Sequence, residues 1–493
     1  MENKGKKYYL ATVIGIFVHC ILCAQPRIIK SPSNLPPPAI NNTIPTVDTV
    51  EKRSLFIISD ISLSGNTKTK SYIIERELPF KSGDSIALNE LVNKFDLARR
   101  QLMNTRLFNE VVVSLKSFRG YLVEIQVDVK ERWYLFPIPY FKLIDRNLSE
   151  WAKQGYDLQR ANFGAKLSYY NFTGRNDKLK VYFITGYTRQ IQFSYEQPYA
   201  DKTLKHGYGI YTSYSTAKEI NHNTIDNEQK FIPMQGGDSG LFKGQVLNKL
   251  FNVGVSYSYR PAIRTRHSVR LSYNTNKIDE AVALSNPKYF NNDRRNVAYP
   301  ELNYTLEYNN VDYVAYPLKG FIGDANLTRR GINKDMNLWQ LNAKGTRGWQ
   351  LSNKTFYGLQ AYGVLKLPFN QPYYNQRMFG YGDFYLRGLE NYVIDGVAAL
   401  MVRNTFRAQV YNFSIPYSKT SDRIPFRFYA KVYGDMGYSY NKNFPQNSLV
   451  NRMLYTAGAG LDIVTLYDVV FRLEYSCNQL GQKGLFLHFK NDF

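Results

Sequence analysis

Cysteine is nearly missing from this chain, with three in 493 residues. Two of them, Cys20 and Cys23, fall within the first 24 positions, so removal of that segment leaves only Cys477 and excludes both an internal disulfide and a cysteine-based metal cluster. Long apolar runs are missing too. After residue 24 no stretch reaches the ~18 apolar residues that a membrane-spanning helix needs, and the mean hydropathy is −0.40. Negative charge is in short supply, with 40 Asp and Glu against 63 Lys and Arg. The cations are dispersed among apolar residues rather than gathered in runs, which speaks against nucleic acid as a partner. Histidine is scarce: beyond the N-terminal segment lie His206, His222, His267 and His488, none at metal-ligand spacing from another. Neither a Gly-x-Ser-x-Gly elbow nor a phosphate loop occurs. His267 and Ser268 are neighbours in an alternating run, so they point to opposite faces and form no dyad. The expectation is a protein that is not an enzyme and has no cofactor and no metal.

Aromatic residues are abundant instead. At 15% of the chain, with 41 Tyr and 30 Phe, they exceed what the core of a soluble domain uses. At the N-terminus Lys4, Lys6 and Lys7 precede an apolar run from Tyr8 to Cys23, and Ala24 stands before Gln25, which reads as a secretory signal peptide over 1–24. A lipidated Cys23 is the rival reading, although Leu22 stands where a small residue belongs. Residues 25–53 are Pro-rich and aperiodic, a flexible tether. The exported remainder is stabilised by something other than disulfides.

Residues 54–132 form a compact α+β unit in the order β-α-α-β-β. A first strand from Leu55 to Leu63 stops at Gly65-Asn66, and a short helix runs from about Lys68 to Leu78 before Pro79. Leu88, Leu91, Phe95, Ala98 and Leu102 recur at helical spacing, giving a second helix with an apolar stripe. Two strands follow, Glu110 to Leu115 and Tyr121 to Val129.

From Trp133 to Phe493 the period changes to two. Ala161, Phe163, Ala165, Leu167 and Tyr169 share one face while Asn162, Lys166 and Ser168 share the other, and similar alternation recurs around Val269, Phe426 and Phe471. Tyr crowds the strand ends, as in the aromatic girdles of a transmembrane barrel. At roughly ten residues per tilted strand plus a connection, the region accommodates about sixteen strands. In Phe426 to Tyr438 the apolar face holds Phe426, Phe428, Ala430, Val432 and Met436, which places Asp435 on the lumen face with Arg427 and Lys431. Glu474 is lumen-facing by the same parity.

Several of these motifs resemble known families. The element order of 54–132, with Ile61-x-Leu63-x-Gly65-Asn66, Leu107-Phe108-x-x-Val111 and Val129-x-Glu131-Arg132, resembles a POTRA domain, whose exposed strand edge implies capture of an extended peptide; an inert spacer is the alternative. The last segment resembles the outer-membrane assembly signal, with Gln482, Gly484, Leu487 and Phe489 at its positions and Phe493 closing the chain. One POTRA-like unit before a barrel, with Leu386-Arg387-Gly388-Leu389 in a late loop, is similar to the BamA/TamA outer-membrane assembly superfamily, also called bacterial surface antigens. That resemblance implies a loop tucked into the lumen, with Arg387 and Gly388 in the locking motif and Asp435, in Gly434-Asp435-x-Gly437, as the arginine's partner. The chain departs from the family near Thr405, where a second acid is expected, and Glu474 is a substitute. Without the resemblance, Arg387 reads as an ordinary loop residue.

The resemblance implies an outer-membrane assembly or translocation factor with its N-terminal domain in the periplasm. Its partners would be unfolded outer-membrane protein clients, outer-membrane lipids and accessory lipoproteins or periplasmic subunits. The seam expected to open lies between a first strand, Arg160 to Phe172, and the last, Gln482 to Phe493. A two-partner secretion transporter, which usually carries two POTRA units and a plug helix, is the alternative of the same kind; a passive porin or surface receptor is one of another kind.

Overall fold

A computed structural model describes residues 55–143, 161–232, 246–291, 293–332, 336–382, 384–416, 423–442 and 447–490. The signal peptide, the Pro-rich tether and Phe493 lie outside the described residues.

The N-terminal unit runs β1 (Leu55–Ser64), α1 (Ser71–Glu75), β2 (Ser85–Ala87), α2 (Leu88–Asn104), β3 (Phe108–Arg119) and β4 (Leu122–Glu131), with sheet order β2-β1-β4-β3. The apolar stripe of α2 buries Leu91, Ala98 and Leu102 against Ile58, Phe108, Ile125 and Val127. Gly65 ends β1 at φ 81°, and a Cβ there would lie 1.9 Å from the Val129 carbonyl oxygen, so glycine alone fits. The first helix is shorter than the expected 68–78. The Glu131 carboxylate accepts hydrogen bonds from the Lys68 and Thr69 amides and the Thr67 hydroxyl, which draws residues 67–69 out of the helix. The three-residue β2 is too short to show a period, and the sequence reading passed over it.

The barrel strands are β5 (Leu135–Leu143), β6 (Ala161–Tyr170), β7 (Lys178–Gly186), β8 (Thr188–Gln197), β9 (His206–Ala217), β12 (Asn248–Ala262), β13 (Thr265–Ile278), β14 (Asn296–Val311), β15 (Gly320–Arg330), β16 (Leu338–Gln350) and β17 (Thr355–Leu367). The set is completed by β20 (Ala398–Pro416), β21 (Arg423–Tyr440), β22 (Met453–Val464), β23 (Val470–Asn478) and β24 (Lys483–Lys490). Among the described residues they form one antiparallel sheet of sixteen strands, each paired with the next from β5 to β24. No helix of the described residues is long and apolar enough to cross a membrane; the crossing elements are strands. Alternation sorts their side chains: Phe251, Val253, Val255 and Tyr257 of β12 are exposed outward, while the intervening polar residues line the inside.

One expectation is corrected. The segment expected as the first strand is the second, β6, and the sheet begins at β5. Pro137 and Pro139 sit within β5, where proline is tolerated because the strand lies on an edge of the described sheet. No pairing joins the described residues of β5 and β24.

Long connections gather at one end of the barrel. A hairpin of β10 (Ile220–Ile225) and β11 (Glu228–Ile232) packs with α3 (Glu280–Ser285) and the β17–β20 connection. Their apolar core includes Leu247, Ile278, Val282, Tyr289, Phe290 and Tyr373.

Candidate functional site

The β17–β20 connection, residues 368–397, carries the site. It is pinned near its middle by a short ladder between β18 (Arg377–Phe379) and β19 (Ile394–Asp395), so residues 380–393 project as a folded tongue. Leu386, 1% exposed, and Leu389, 3% exposed, anchor it beside Phe379 and Leu454. Leu386 seats against β21 at Gly437, where a Cβ would meet its side chain at 3.1 Å.

Between these anchors Arg387 reaches β21. Its Nε donates to Asp435 Oδ2 at 2.8 Å and its Nη2 to Asp435 Oδ1 at 2.5 Å, a two-pronged contact, and its backbone amide donates to Oδ2 at 3.3 Å. Nη2 also donates to the Thr405 hydroxyl at 3.1 Å. The guanidinium lies 3.8 Å from the centroid of the Tyr433 ring, a cation over a π face. Gly388 follows at φ 88°, with its carbonyl accepting from Asn478 at 2.8 Å. A Cβ at Gly388 would stand 2.8 Å from Ser476 Cβ, so the tongue approaches β23 too closely for a side chain.

The structure therefore brings Arg387, Gly388, Asp435 and Thr405 together. Glu474 borders the same cluster: it lies at ion-pair distance, 3.9 Å, from Arg387 Nη1 and accepts from Lys431 Nζ at 2.6 Å. Lys431 also bonds Asp462, whose other oxygen accepts from Tyr316 at 2.7 Å. Arg403 sits 3.8 Å from Asp435 and over the Tyr385 ring. Sequence reasoning missed Tyr433, Arg403, Asp462, Tyr385 and Glu390. Parity puts Arg403 and Tyr433 on the lumen face, but only cross-strand register shows that they converge. His488 of β24 lies 3.4 Å from Glu474 and 3.5 Å from Glu390, with its ring stacked on Tyr385 at 5.3 Å. The tongue thus touches the last strand as well as β21.

Of the expected C-terminal signal, Gln482 donates to the Tyr392 hydroxyl at 2.6 Å. Gly484, Leu487 and Phe489 lie in β24, with Leu487 and Phe489 exposed outward. Phe493 lies outside the described residues.

At the opposite rim the N-terminal unit is fastened to five places on the barrel. The Lys70 amide donates to the Gly174 carbonyl at 3.0 Å in the β6–β7 turn, and Arg76 to the Leu204 carbonyl at 2.7 Å in the β8–β9 turn. Glu77 accepts from Arg260 of β12 at 3.0 Å. Asn104 donates to Val311 at the end of β14 and accepts from the Val314 amide, both at 3.1 Å. Arg132 reaches Asp468, in the β22–β23 turn, at 2.7 Å. Burial by itself raises the Asp468 carboxyl, but the hydrogen bond and charge of Arg132 outweigh it and hold the group below its ordinary value.

Two family models match the chain. Residues 56–132 match the POTRA family, described as a surface antigen variable number repeat, and residues 171–466 match the Omp85 superfamily domain. No curated protein matches the chain in sequence. Among solved structures, the chain is similar to BamA from Haemophilus ducreyi lacking POTRA domains 1-3, at 14% identity over 88% of this chain and 84% of that one, with a TM-score of 0.48. It is also similar to CdiB from Escherichia coli, at 13% identity over 90% and 91% of the two chains and a TM-score of 0.46.

Proposed function

We propose, from the premise that this chain belongs to the Omp85 superfamily, that it assembles other barrel proteins into the outer membrane. At the level of the family the protein is an outer-membrane insertion or transport factor rather than an enzyme, with its POTRA domain in the periplasm. The finer reading is assembly. In it, β3, the twelve-residue outer strand of the POTRA sheet, receives an unfolded client by backbone pairing, which reads little sequence. The client strand then passes to the seam between β5 and β24, with outer-membrane lipid on its outer side and accessory lipoproteins or periplasmic subunits as helpers.

The observation that carries this reading is that no pairing joins the described residues of β5 and β24, beside a tongue tied by Arg387 to Asp435. A pore or receptor has no use for an unpaired junction, which leaves backbone groups unmet at the membrane. Depletion of the protein is expected to lower the amounts of other outer-membrane barrels. An unchanged outer-membrane proteome, with loss of a single exported polypeptide instead, would replace assembly by secretion.

A further inference from the structure

Three side chains from three elements converge on one point beside the tongue. Arg472 pairs with His488 across β23 and β24, so Glu474, two residues on from Arg472, shares the lumen face with His488 as its diagonal neighbour. Glu390 comes from the tongue, just past the turn at Gly388. One ligand atom from each of Glu390, Glu474 and His488 lies within 4.8 Å of the other two. The site is largely buried: the side chains are 12%, 2% and 24% exposed in that order, and the imidazole is the part that lumen water reaches.

The distances do not fit a plain ion pair. His488 Nε2 stands 3.4 Å from Glu474 Oε2 and 3.5 Å from Glu390 Oε1. A protonated imidazole bonding a carboxylate closes to about 2.7–2.9 Å. His488 Nε2 and Glu390 Oε1 are instead buried with no hydrogen-bond partner among the described residues, which is costly unless something absent from the chain itself satisfies them. Two ligands of a tetrahedral Zn2+, each at about 2.0–2.1 Å from the ion, stand roughly 3.3–3.4 Å apart. The spacing of Nε2 from both carboxylates is close to that edge. The two carboxylates also face one nitrogen, an arrangement that a cation between them relieves.

The surroundings orient each ligand as an outer shell does. The second oxygen of Glu390, Oε2, accepts from the Gly388 amide at 2.6 Å, and Glu474 Oε1 accepts from Lys431 Nζ at 2.6 Å, so each carboxylate is tied back by one oxygen and turns the other to His488. On the far side of the imidazole, Nδ1 lies 3.3 Å from the Tyr385 hydroxyl, and the two rings are stacked. With Nε2 given to an ion, Nδ1 keeps its proton and donates it to that hydroxyl, which fixes tautomer and ring together. Arg387 is the nearest competing guanidinium, 3.9 Å from Glu474, but it is committed to Asp435.

We propose that Glu390, Glu474 and His488 form a site for a divalent transition-metal ion of the Zn2+ class, which staples the tongue to the last two strands. One imidazole nitrogen and two carboxylate oxygens, with no thiolate, are a borderline N/O set that suits Zn2+ better than the six or more oxygens of Ca2+. A fourth position is left for water from the lumen. The expectation of no metal rested on the spacing between histidines and on the lack of cysteine, and neither bears on ligands supplied by three separate elements. The site is independent of whether the protein assembles or secretes its clients.

The test uses the full-length protein without a histidine tag, in lipid nanodiscs, stripped with a chelator and titrated with Zn2+ by calorimetry. One ion per chain is expected, and Co2+ in its place should give the visible absorption of a tetrahedral N/O site. His488→Gln and Glu390→Gln should each weaken binding by at least about a hundredfold, and Tyr385→Phe, which keeps the stack and loses the hydroxyl, by about tenfold. Zn2+ at a hundred times its Kd, binding only the docked tongue, lowers the open population about a hundredfold. Amide exchange over 388–392 should slow by that factor in the unsubstituted protein and stay unchanged by Zn2+ in His488→Gln. The unsubstituted titration stands even if a variant fails to fold. Absence of binding overturns the site, and binding that survives both His488→Gln and Glu390→Gln places the ion elsewhere and overturns it too. Exchange that slows on acidification but not with Zn2+ identifies a protonated His488 between the carboxylates and replaces the metal by a proton.

Discussion

Replacing Arg387 with alanine should release the tongue, and the size of the effect follows from the contacts. The Arg387 side chain is 8% exposed and that of Asp435 is 0% exposed, so the substitution leaves a carboxylate buried without its main partner. Breaking such a pair typically costs ~3–5 kcal/mol. Arg403, 3.8 Å from Asp435 with an Nε that has no hydrogen-bond partner, is placed to swing in and recover part of this. The lower end, about 3 kcal/mol, is therefore expected, which raises the open population of the tongue by roughly a hundredfold. Amide hydrogen exchange across residues 380–396 reads that population directly. Exchange about a hundredfold faster in Arg387→Ala, together with impaired assembly, is the expected result. Arg387→Lys should recover little, because lysine provides neither the two-pronged contact nor the stack on Tyr433. In a double-mutant cycle with Asp435→Ala the two losses should be strongly non-additive. Unchanged exchange in Arg387→Ala, or strict additivity in the cycle, would refute the lock.

Gly388→Ala should disturb the same tongue by another route, since its φ of 88° and the 2.8 Å approach to Ser476 Cβ leave no room for a methyl group. A destabilisation of about 1–3 kcal/mol is expected from the strain, seen as faster exchange at Leu389, and Ser476→Gly should relieve part of it. The Arg132–Asp468 clasp should respond to acid. The folded Asp468 pKa is depressed, so the clasp contributes fully above the unfolded value of about 4 and is lost as pH falls through the lower folded value. Spin labels at the exposed positions Val92 of α2 and Lys354 of the β16–β17 turn should report a broadened distance at low pH. Asp468→Asn should give the same broadening at neutral pH, and a distance indifferent to both would show the clasp to be idle.

The sheet was legible because its physics is local. Period-two alternation identifies lipid and lumen faces strand by strand, and it placed Asp435, Lys431 and Glu474 on the lumen side without any knowledge of register. What failed was non-local or sparse. The first strand, β5, carries Pro137 and Pro139, which fit a strand only on an edge, and edges are a property of the whole sheet. The polar cluster around the tongue depends on β20, β21, β22 and β23 lying side by side. Thr405 shows the limit well: its departure from the family's acid was visible, but not that its hydroxyl would still accept from Arg387 at 3.1 Å. The apolar lid around Tyr289 and Phe290 lies in connections that have no period to read.

The five fastenings of the POTRA unit have a mechanical meaning. A domain held at one hinge swings freely under a pull and transmits no torque, whereas one bolted at β6–β7, β8–β9, β12, β14 and β22–β23 acts as a stiff crank across the rim. A tug on β3 is then shared among these bolts. The bolt at Asp468 sits in the turn that leads into β23, next to the strand bordering the seam. A pull on the POTRA sheet is in this way borne in part by the turn between β22 and β23.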